Sequence, residues 1–207
     1  MKEKGKVFIV SAPSGSGKST LVTNLLTEVS DLAFSVSYTT RRPRGNEKDG
    51  VEYFFVSEEV FEKMIEEDQF VEYAKVFDYY YGTARRVLEQ TMAEGKDLLL
   101  DIDTEGASQV KKKLPDSVSI FIMPPSFEAL EARLERRQLD NRETILKRLR
   151  WASQVEIHRF VNYDYVVINE NLAPSIDLLR SIIYAERCRR ERVTQRVETI
   201  IKTFGGV

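Results

Sequence analysis

The feature that most constrains the fold is a short apolar run at residues 6–10, followed directly by a glycine-rich segment and a helical pattern. The segment, residues 11–20, reads SAPSGSGKST, and a strand, a glycine-rich loop and a helix in this order form the context that a Walker A motif requires. Such a loop points successive backbone N–H groups into one concavity, and the helix N-terminus adds partial positive charge. The sequence therefore predicts a binding loop for a nucleoside triphosphate.

Within this loop, Lys18 is expected to bridge the β- and γ-phosphates and the Ser19 hydroxyl to ligate Mg²⁺. Ala12 stands where the usual motif has its first glycine, and a residue with negative φ tolerates that exchange. The predicted triphosphate-binding residues are Ala12, Pro13, Ser14, Gly15, Ser16, Gly17, Lys18, Ser19 and Thr20.

Three further apolar runs, at residues 98–103, 118–122 and 165–168, each precede a helical pattern. Strands that alternate with helices imply a parallel sheet with helices packed on its faces. The predicted fold class is therefore α/β, with a P-loop core of parallel strands flanked by helices. In the first of these runs Asp101 and Asp103 are two residues apart, so a continuous strand would place them on one face. Either could hold a Mg²⁺-bound water or orient an acceptor, and the spacing does not decide between them.

The composition excludes several other classes of protein. Lys and Arg number 31 against 33 Asp and Glu, a net charge of −2 that provides no general attraction to nucleic acid or an anionic membrane. One cysteine and one histidine exclude a disulfide framework and a Cys/His zinc site, and nearly exclude a Ser-His-Asp hydrolase. The apolar run at residues 6–10 is too short for a signal peptide, and no run approaches the roughly 20 apolar residues of a membrane span. We expect a cytoplasmic protein without nucleic-acid or membrane partners, and the sequence leaves homo-oligomerisation open.

Two segments interrupt the alternation. Residues 34–83 carry most of the aromatic residues and a basic turn, which indicates an inserted subdomain of mixed strands with one helix near residues 57–67. Such an insertion would lie beside the carboxyl ends of the core strands, where open α/β sheets bind ligands. The second interruption, residues 133–150, is dense in arginine. The predicted core then comprises about residues 1–33, 84–132 and 151–207.

The insertion contains side chains suited to a phosphorylated acceptor. Arg41 and Arg44 can converge on one anion, because guanidinium groups match phosphate oxygens two at a time. Tyr53 and Tyr81 can add hydroxyl donors. Glu72 lies in an apolar and aromatic stretch, where an unpaired carboxylate is costly. Guanine would satisfy it, because N1–H and the 2-amino group present two adjacent donors, and adenine presents no such pair.

At these residues the chain resembles the guanylate kinase family, over essentially its whole length. The stretches that carry the resemblance are residues 12–20 (APSGSGKST), 34–44 (FSVSYTTRRPR), 49–56 (DGVEYFFV), 70–73 (FVEY), 80–83 (YYGT) and 101–103 (DID). The resemblance implies a core, a GMP-binding subdomain at about residues 34–83, and a mobile helical lid at about 133–150. It also implies transfer of the γ-phosphoryl group of MgATP to GMP, and dGMP as a further acceptor, within purine nucleotide metabolism.

The resemblance assigns roles residue by residue. It implies guanine contacts for Ser37, Glu72 and Thr83, and GMP-phosphate contacts for Arg41, Arg44, Tyr53 and Tyr81. Asp103 would lie close to the acceptor, Asp101 by the metal, and Asn169 near the adenine. Arg133, Arg137 and Arg148 match lid arginines that approach the phosphates. The catalytic set that follows is Lys18, Arg41, Arg133, Arg137, Arg148 and Asp103. Gln138, Arg142 and Glu105 depart from residues that are common in the family.

Three alternatives remain at this point. A P-loop kinase acting on a ribosyl phosphate would keep Lys18 and the arginines, but would have no use for Glu72 or Ser37. A non-catalytic guanylate-kinase-like scaffold typically has an eroded ATP loop, whereas Gly17, Lys18 and Ser19 are all present here. A GTPase switch is disfavoured because no Asn-Lys-x-Asp string follows the core.

Overall fold

The computed structural model describes residues 5–76, 78–136 and 141–205. The strands are β1 (Val7–Ser11), β2 (Leu32–Phe34), β3 (Ser37–Thr39), β4 (Tyr53–Phe55), β5 (Phe70–Val76), β6 (Tyr79–Ala84), β7 (Asp97–Asp101), β8 (Val118–Met123) and β9 (Tyr165–Ile168). The α-helices are α1 (Lys18–Glu28), α2 (Glu58–Glu66), α3 (Arg85–Ala93), α4 (Thr104–Lys113), α5 (Phe127–Arg136), α6 (Arg142–Trp151), α7 (Leu172–Arg187) and α8 (Arg190–Phe204). A π-helical turn (Ala152–Glu156) and a 3-10 helix (Ile157–Asn162) follow α6.

Five strands form a core sheet in the order β2-β7-β1-β8-β9, and every pair in it is parallel. All five residues of the central strand β1 are buried, which explains its continuous apolar run. Alternate residues of β1 face opposite sides of the sheet: Phe8 and Val10 pack with α1 and α7, whereas Val7 and Ile9 pack towards α3 and α4. The predicted α/β fold class, with helices on both faces of a parallel sheet, is confirmed.

A second sheet, of four strands, has the order β4-β3-β6-β5. Here β3 pairs with β4 in parallel, but β3–β6 and β5–β6 are antiparallel. Helix α2 covers this sheet through Phe61 and Met64, which cluster with Phe70. The rings of Phe61 and Phe70 stack with centroids 4.5 Å apart. A small aromatic core therefore supports this second sheet separately from the main one.

Helices α5 and α6 pack on each other through a third small cluster, Leu130, Leu134, Ile145, Leu149 and Ala152. Arg137 and Gln138, which follow α5 in the sequence, are outside the described residues. The boundaries predicted above for core, insertion and lid stay a prediction. None of the described helices is both long and apolar enough to cross a membrane.

Candidate active site

The phosphate-binding loop connects the carboxyl end of β1 to the first turn of α1. Gly15 and Gly17 have φ values of 93° and 88°, in the left-handed region that glycine adopts without strain. Between them, Ser16 N–H donates to the Pro13 carbonyl at 3.1 Å, which closes a tight turn. Ser19 and Thr20 are exposed in the first turn of α1. The loop therefore presents its backbone and a helix N-terminus, the arrangement that binds phosphate.

Two side chains support the loop from behind. Asn169, buried at the end of β9, donates from Nδ2 to the Ser16 carbonyl at 2.7 Å. Arg133 of α5 donates to the same carbonyl at 3.1 Å and to the Asn169 carbonyl at 2.8 Å. The family resemblance assigned these residues to the adenine and to the phosphates, and both roles stay predictions. In this structure the two side chains fix the loop backbone.

Lys18 and Asp101 form an ion pair at the junction of α1 and β7. Lys18 Nζ also donates to the Ile102 carbonyl at 2.8 Å. No cluster of three or more His, Cys, Asp or Glu able to hold a metal occurs among the described residues. The Ser19 hydroxyl and the Asp101 carboxylate are hard oxygen donors, and Mg²⁺ typically binds one or two such groups together with nucleotide phosphates. The donor set therefore fits Mg²⁺ that arrives with a nucleotide.

The expectation of a continuous strand over residues 98–103, with Asp101 and Asp103 on one strand face, is wrong. Strand β7 ends at Asp101, and Asp103 is the N-cap of α4. Its Oδ1 atom accepts from the backbone N–H groups of Glu105 at 2.7 Å and Gly106 at 2.8 Å. A carboxylate that satisfies two free N–H groups of a helix is held in a defined orientation.

Glu156 was not predicted from the sequence, although it lies against the loop. It is buried at the end of the π-helical turn, and its Oε2 accepts from Ser14 N–H at 3.4 Å. Burial raises the pKa of Glu156, and the negative charge of Asp103 adds to that effect. One signal could have identified it: the buried positions 145, 149 and 152 continue with helical spacing to 156, which places a charged residue on an apolar face. Next to it, Arg148 donates from NH1 to Ser14 Oγ at 3.3 Å.

On the second sheet, Glu72 is a buried carboxylate with a single strong partner. It is 3% exposed, and its Oε1 accepts from the Thr83 hydroxyl at 2.6 Å across the β5–β6 pair. Burial raises the pKa of Glu72 to about 7; the Thr83 hydrogen bond opposes this shift, and the charge of Asp103 adds to it. Ser37 of β3 is buried on the same sheet.

Arg41 lies just after β3, an inner strand of the same sheet. It is buried, and its NH1 and NH2 atoms donate to the two carboxylate oxygens of Glu47, both at 3.0 Å. Glu47 also accepts from the Arg44 backbone N–H at 2.7 Å, whereas the Arg44 side chain is exposed. Burial opposes ionisation of Glu47, but the hydrogen bonds from Arg41 and Arg44 hold its pKa below the ordinary value. No sequence pattern pointed to Glu47.

Tyr53 and Tyr81 stand beside Arg41, with their ring centroids 5.8 Å apart. The Arg41 guanidinium carbon lies 5.3 Å from the centroid of the Tyr53 ring. Burial raises the pKa of Tyr53 to about 12, and the negative charge of Asp101 is the next cause. The charges of Asp101 and Asp103 thus act on Tyr53 and Glu72 respectively, so the end of β7 and the start of α4 lie near the second sheet.

The structure thus forms two groups of predicted residues. Around the loop it brings together Ser14, Ser16, Lys18, Asp101, Arg133, Arg148 and Asn169. On the second sheet it brings together Arg41, Tyr53 and Tyr81 at one place and Glu72 with Thr83 at another. Arg137 falls outside the described residues.

Comparison with known proteins agrees with this geometry. A sequence profile described as guanylate kinase matches residues 4–186. The guanylate kinase of Koribacter versatilis is 52% identical over 189 residues, covering 90% of this chain and 81% of that protein. That of Caldanaerobacter subterraneus is 45% identical over 192 residues, covering 93% of each.

A crystal structure of guanylate kinase from Anaplasma phagocytophilum superposes with a TM-score of 0.78 at 35% identity, covering 92% of this chain and 90% of that one. Sequence profile, relatives and structure agree, and the chain belongs to the guanylate kinase family.

Proposed function

We propose that this protein is an enzyme that transfers the γ-phosphoryl group of MgATP to GMP, giving ADP and GDP, and that dGMP is also an acceptor. The observation that carries the proposal is Glu72, a buried carboxylate on the second sheet of a chain that has an intact phosphate-binding loop. Family membership supports the same reaction. A cytoplasmic location and a role in purine nucleotide metabolism belong to this proposal.

The donor nucleotide is bound through residues 12–20, with its phosphates on the loop N–H groups and the N-terminus of α1. Lys18 leaves its pairing with Asp101 to bridge the β- and γ-phosphates. Ser19 and Asp101 would hold Mg²⁺, which would neutralise charge on the triphosphate. Asn169 and Arg133 hold the loop backbone through the Ser16 carbonyl, and the family resemblance supports an adenine contact for Asn169.

The acceptor phosphate binds at Arg41, with Arg44, Tyr53 and Tyr81 around it. In this structure the Glu47 carboxylate already occupies the terminal edge of the Arg41 guanidinium, with both N–O distances at 3.0 Å. Glu47 therefore holds the Arg41 side chain in place, and Tyr81 is a further hydrogen-bond partner of the guanidinium beside the proposed phosphate position.

The guanine binds at Glu72, with Ser37 and Thr83 beside it. Thr83 donates to Oε1, so the orientation of the carboxylate is fixed and Oε2 stays available for N1–H or the 2-amino group. An ionised Glu72 accepts both donors, and adenine has no such pair to offer. This contact gives the site its base preference, because a buried carboxylate left without its partners is costly.

The reaction requires no general base. A phosphate monoester with a second pKa near 6 is mostly dianionic at neutral pH, so a GMP phosphate oxygen can attack directly. The new oxygen–phosphorus bond forms as the bond from the γ-phosphorus to the β–γ bridging oxygen breaks, and ADP leaves with that electron pair. Lys18, Arg133, Arg137 and Arg148 neutralise the charge that two converging anions develop, and Asp103 orients the acceptor side.

The experiment that tests this proposal is a coupled ADP-release assay with MgATP and separate acceptors: GMP, dGMP, AMP, CMP, UMP and ribose phosphates. We expect rapid release with GMP and dGMP alone. Activity with only a ribose phosphate would keep the loop chemistry and reject the guanine site. No turnover with any acceptor, with GMP still binding by calorimetry, would favour the non-catalytic scaffold instead.

A further inference from the structure

Gly106 lies inside a helix, at a position where the backbone conformation does not require glycine. It lies in the first turn of α4 and is absent from the residues with positive φ, so its conformation is open to any amino acid. Glycine destabilises a helix relative to alanine, because it loses more conformational freedom on folding. We therefore expect the reason for a glycine at position 106 to lie in the atoms that surround its Cα atom.

The space that a side chain would need at this position is occupied by Glu72. A Cβ atom on Gly106 would overlap Oε2 of Glu72 and would lie only 3.1 Å from its carboxyl carbon. Glu72 has no room to retreat, because it is 3% exposed and its other oxygen is bonded to Thr83, which is itself fully buried. The backbone of α4 thus forms the wall behind this carboxylate.

The helix is fixed to the strand that carries Glu72. Gln109 donates from Nε2 to the Tyr73 carbonyl at 2.7 Å and accepts from the Tyr73 N–H at 3.3 Å. Lys113 donates to the Val71 carbonyl at 2.7 Å. These contacts hold the two neighbours of Glu72 against the same face of α4, so the helix and the carboxylate cannot separate without breaking three hydrogen bonds.

Gly106 also contacts Asp103, since its N–H donates to Asp103 Oδ1 at 2.8 Å. Gly106 is therefore in contact both with the Glu72 carboxylate and with the Asp103 carboxylate that caps α4.

We propose that Gly106 is a positioning residue that sets the specificity of the acceptor site, by placing Glu72 Oε2 for the 2-amino group of guanine. This inference rests on the proposed function. A side chain at position 106 displaces Oε2, so the paired contact with N1–H and the 2-amino group is lost. The affected quantity is the preference for GMP over IMP, which has N1–H but no 2-amino group.

The test compares Gly106→Ala with Ser108→Ala, a substitution at an exposed position of the same helix. For each protein, kcat and KM are measured for GMP, IMP and MgATP. We expect Gly106→Ala to raise the KM for GMP roughly tenfold or more and to lower the GMP/IMP ratio of kcat/KM by a similar factor, with the KM for MgATP unchanged. Ser108→Ala should match the wild type. An unchanged GMP/IMP ratio in Gly106→Ala would overturn the inference.

A second comparison separates steric displacement of Glu72 from general damage to the helix. Glu72→Asp shortens the side chain and leaves room for a methyl group at position 106. In that background Gly106→Ala should change GMP binding less than twofold in calorimetry, whereas equal losses in both backgrounds would contradict the role assigned to Glu72. A wild-type enzyme without any preference for GMP over IMP or AMP would instead refute the proposed function.

Discussion

The two halves of the site are built from different parts of the chain. The donor half is mainly backbone: Gly15, Gly17 and the first turn of α1 present N–H groups, and neighbouring side chains hold this backbone in place. The acceptor half is made of side chains on a small sheet, where Arg41 is already paired with Glu47 and Glu72 with Thr83. A backbone site is visible in the sequence as a motif, whereas a side-chain site depends on partners that only the fold brings together.

The largest effect is expected from Lys18→Ala, because it removes the positive charge proposed to bridge the β- and γ-phosphates. Transition-state charge would lose a stabilising group, and we expect kcat to fall by about 10³-fold. Single-turnover kinetics with saturating GMP and MgATP measure this directly. Lys63→Ala on the surface of α2, where the side chain is 73% exposed, is the matched control and should leave kcat unchanged. A loss below tenfold would remove Lys18 from the chemistry.

The acceptor half is expected to affect how the unfolding free energy of the protein depends on pH. The folded-state pKa of Glu72 is raised from 4.5 to about 7, mainly by burial. The nearby charge of Asp103 raises this pKa further, whereas that of Lys113 lowers it. Folding therefore favours protonated Glu72. The stability that protonated Glu72 contributes to the folded protein is fully present below pH 4.5 and is lost as the pH rises through 7.

When the pH rises from 5 to 8, the wild type should therefore lose up to about 3 kcal/mol of unfolding free energy relative to Glu72→Gln. Urea unfolding at both pH values measures the difference, and Glu66→Gln at an exposed position of α2 should show none. A wild-type protein that gains stability relative to Glu72→Gln over this interval would contradict the raised pKa.

The smallest expected effect concerns the support behind the loop. Asn169→Ala removes the 2.7 Å hydrogen bond to the Ser16 carbonyl, which Arg133 still contacts. We expect a loss of about 1 kcal/mol, seen as a several-fold rise in the KM for MgATP with the KM for GMP unchanged. Asn24→Ala removes a hydrogen bond of similar length to a carbonyl on the exposed face of α1, and should change neither constant. Equal rises for both nucleotides would show that Asn169 does not act through the loop.

The fold was largely predictable from the sequence. The apolar runs at 6–10 and 118–122 mark inner strands buried on both faces, and the helical spacing that follows marks their covering helices. The run at 165–168 also marks a strand, but β9 is at the edge of the sheet and only Val167 in it is buried. The mixed pairing of the second sheet was less accessible, because its strands are short and β4 is only half-buried. The end of β7 at Asp101 was missed, because an aspartate in an extended run can equally well continue the strand or cap the next helix.

The sequence indicated candidate residues in both halves of the site, but not the side-chain contacts that hold them in place. Residues 11–20 point to phosphate binding by themselves, since the motif specifies a backbone shape. Glu47 and Glu156 belong to no recognisable motif. Their positions depend on contacts with Arg41, six residues away, and with Ser14, 142 residues away, and no regular spacing in the sequence indicates either contact. The support role of Asn169 was equally hidden, because it involves a carbonyl group 153 residues away. Side-chain partnerships of this kind are created by the fold.

The most direct test of a divided site is a crossed binding experiment. Calorimetric titration of Lys18→Ala and Glu72→Gln with ATP and with GMP separates the two halves. We expect Lys18→Ala to weaken ATP binding at least tenfold and to leave GMP binding unchanged, whereas Glu72→Gln should weaken GMP binding at least tenfold and leave ATP binding unchanged. Two variants that each weaken both nucleotides to the same extent would contradict it.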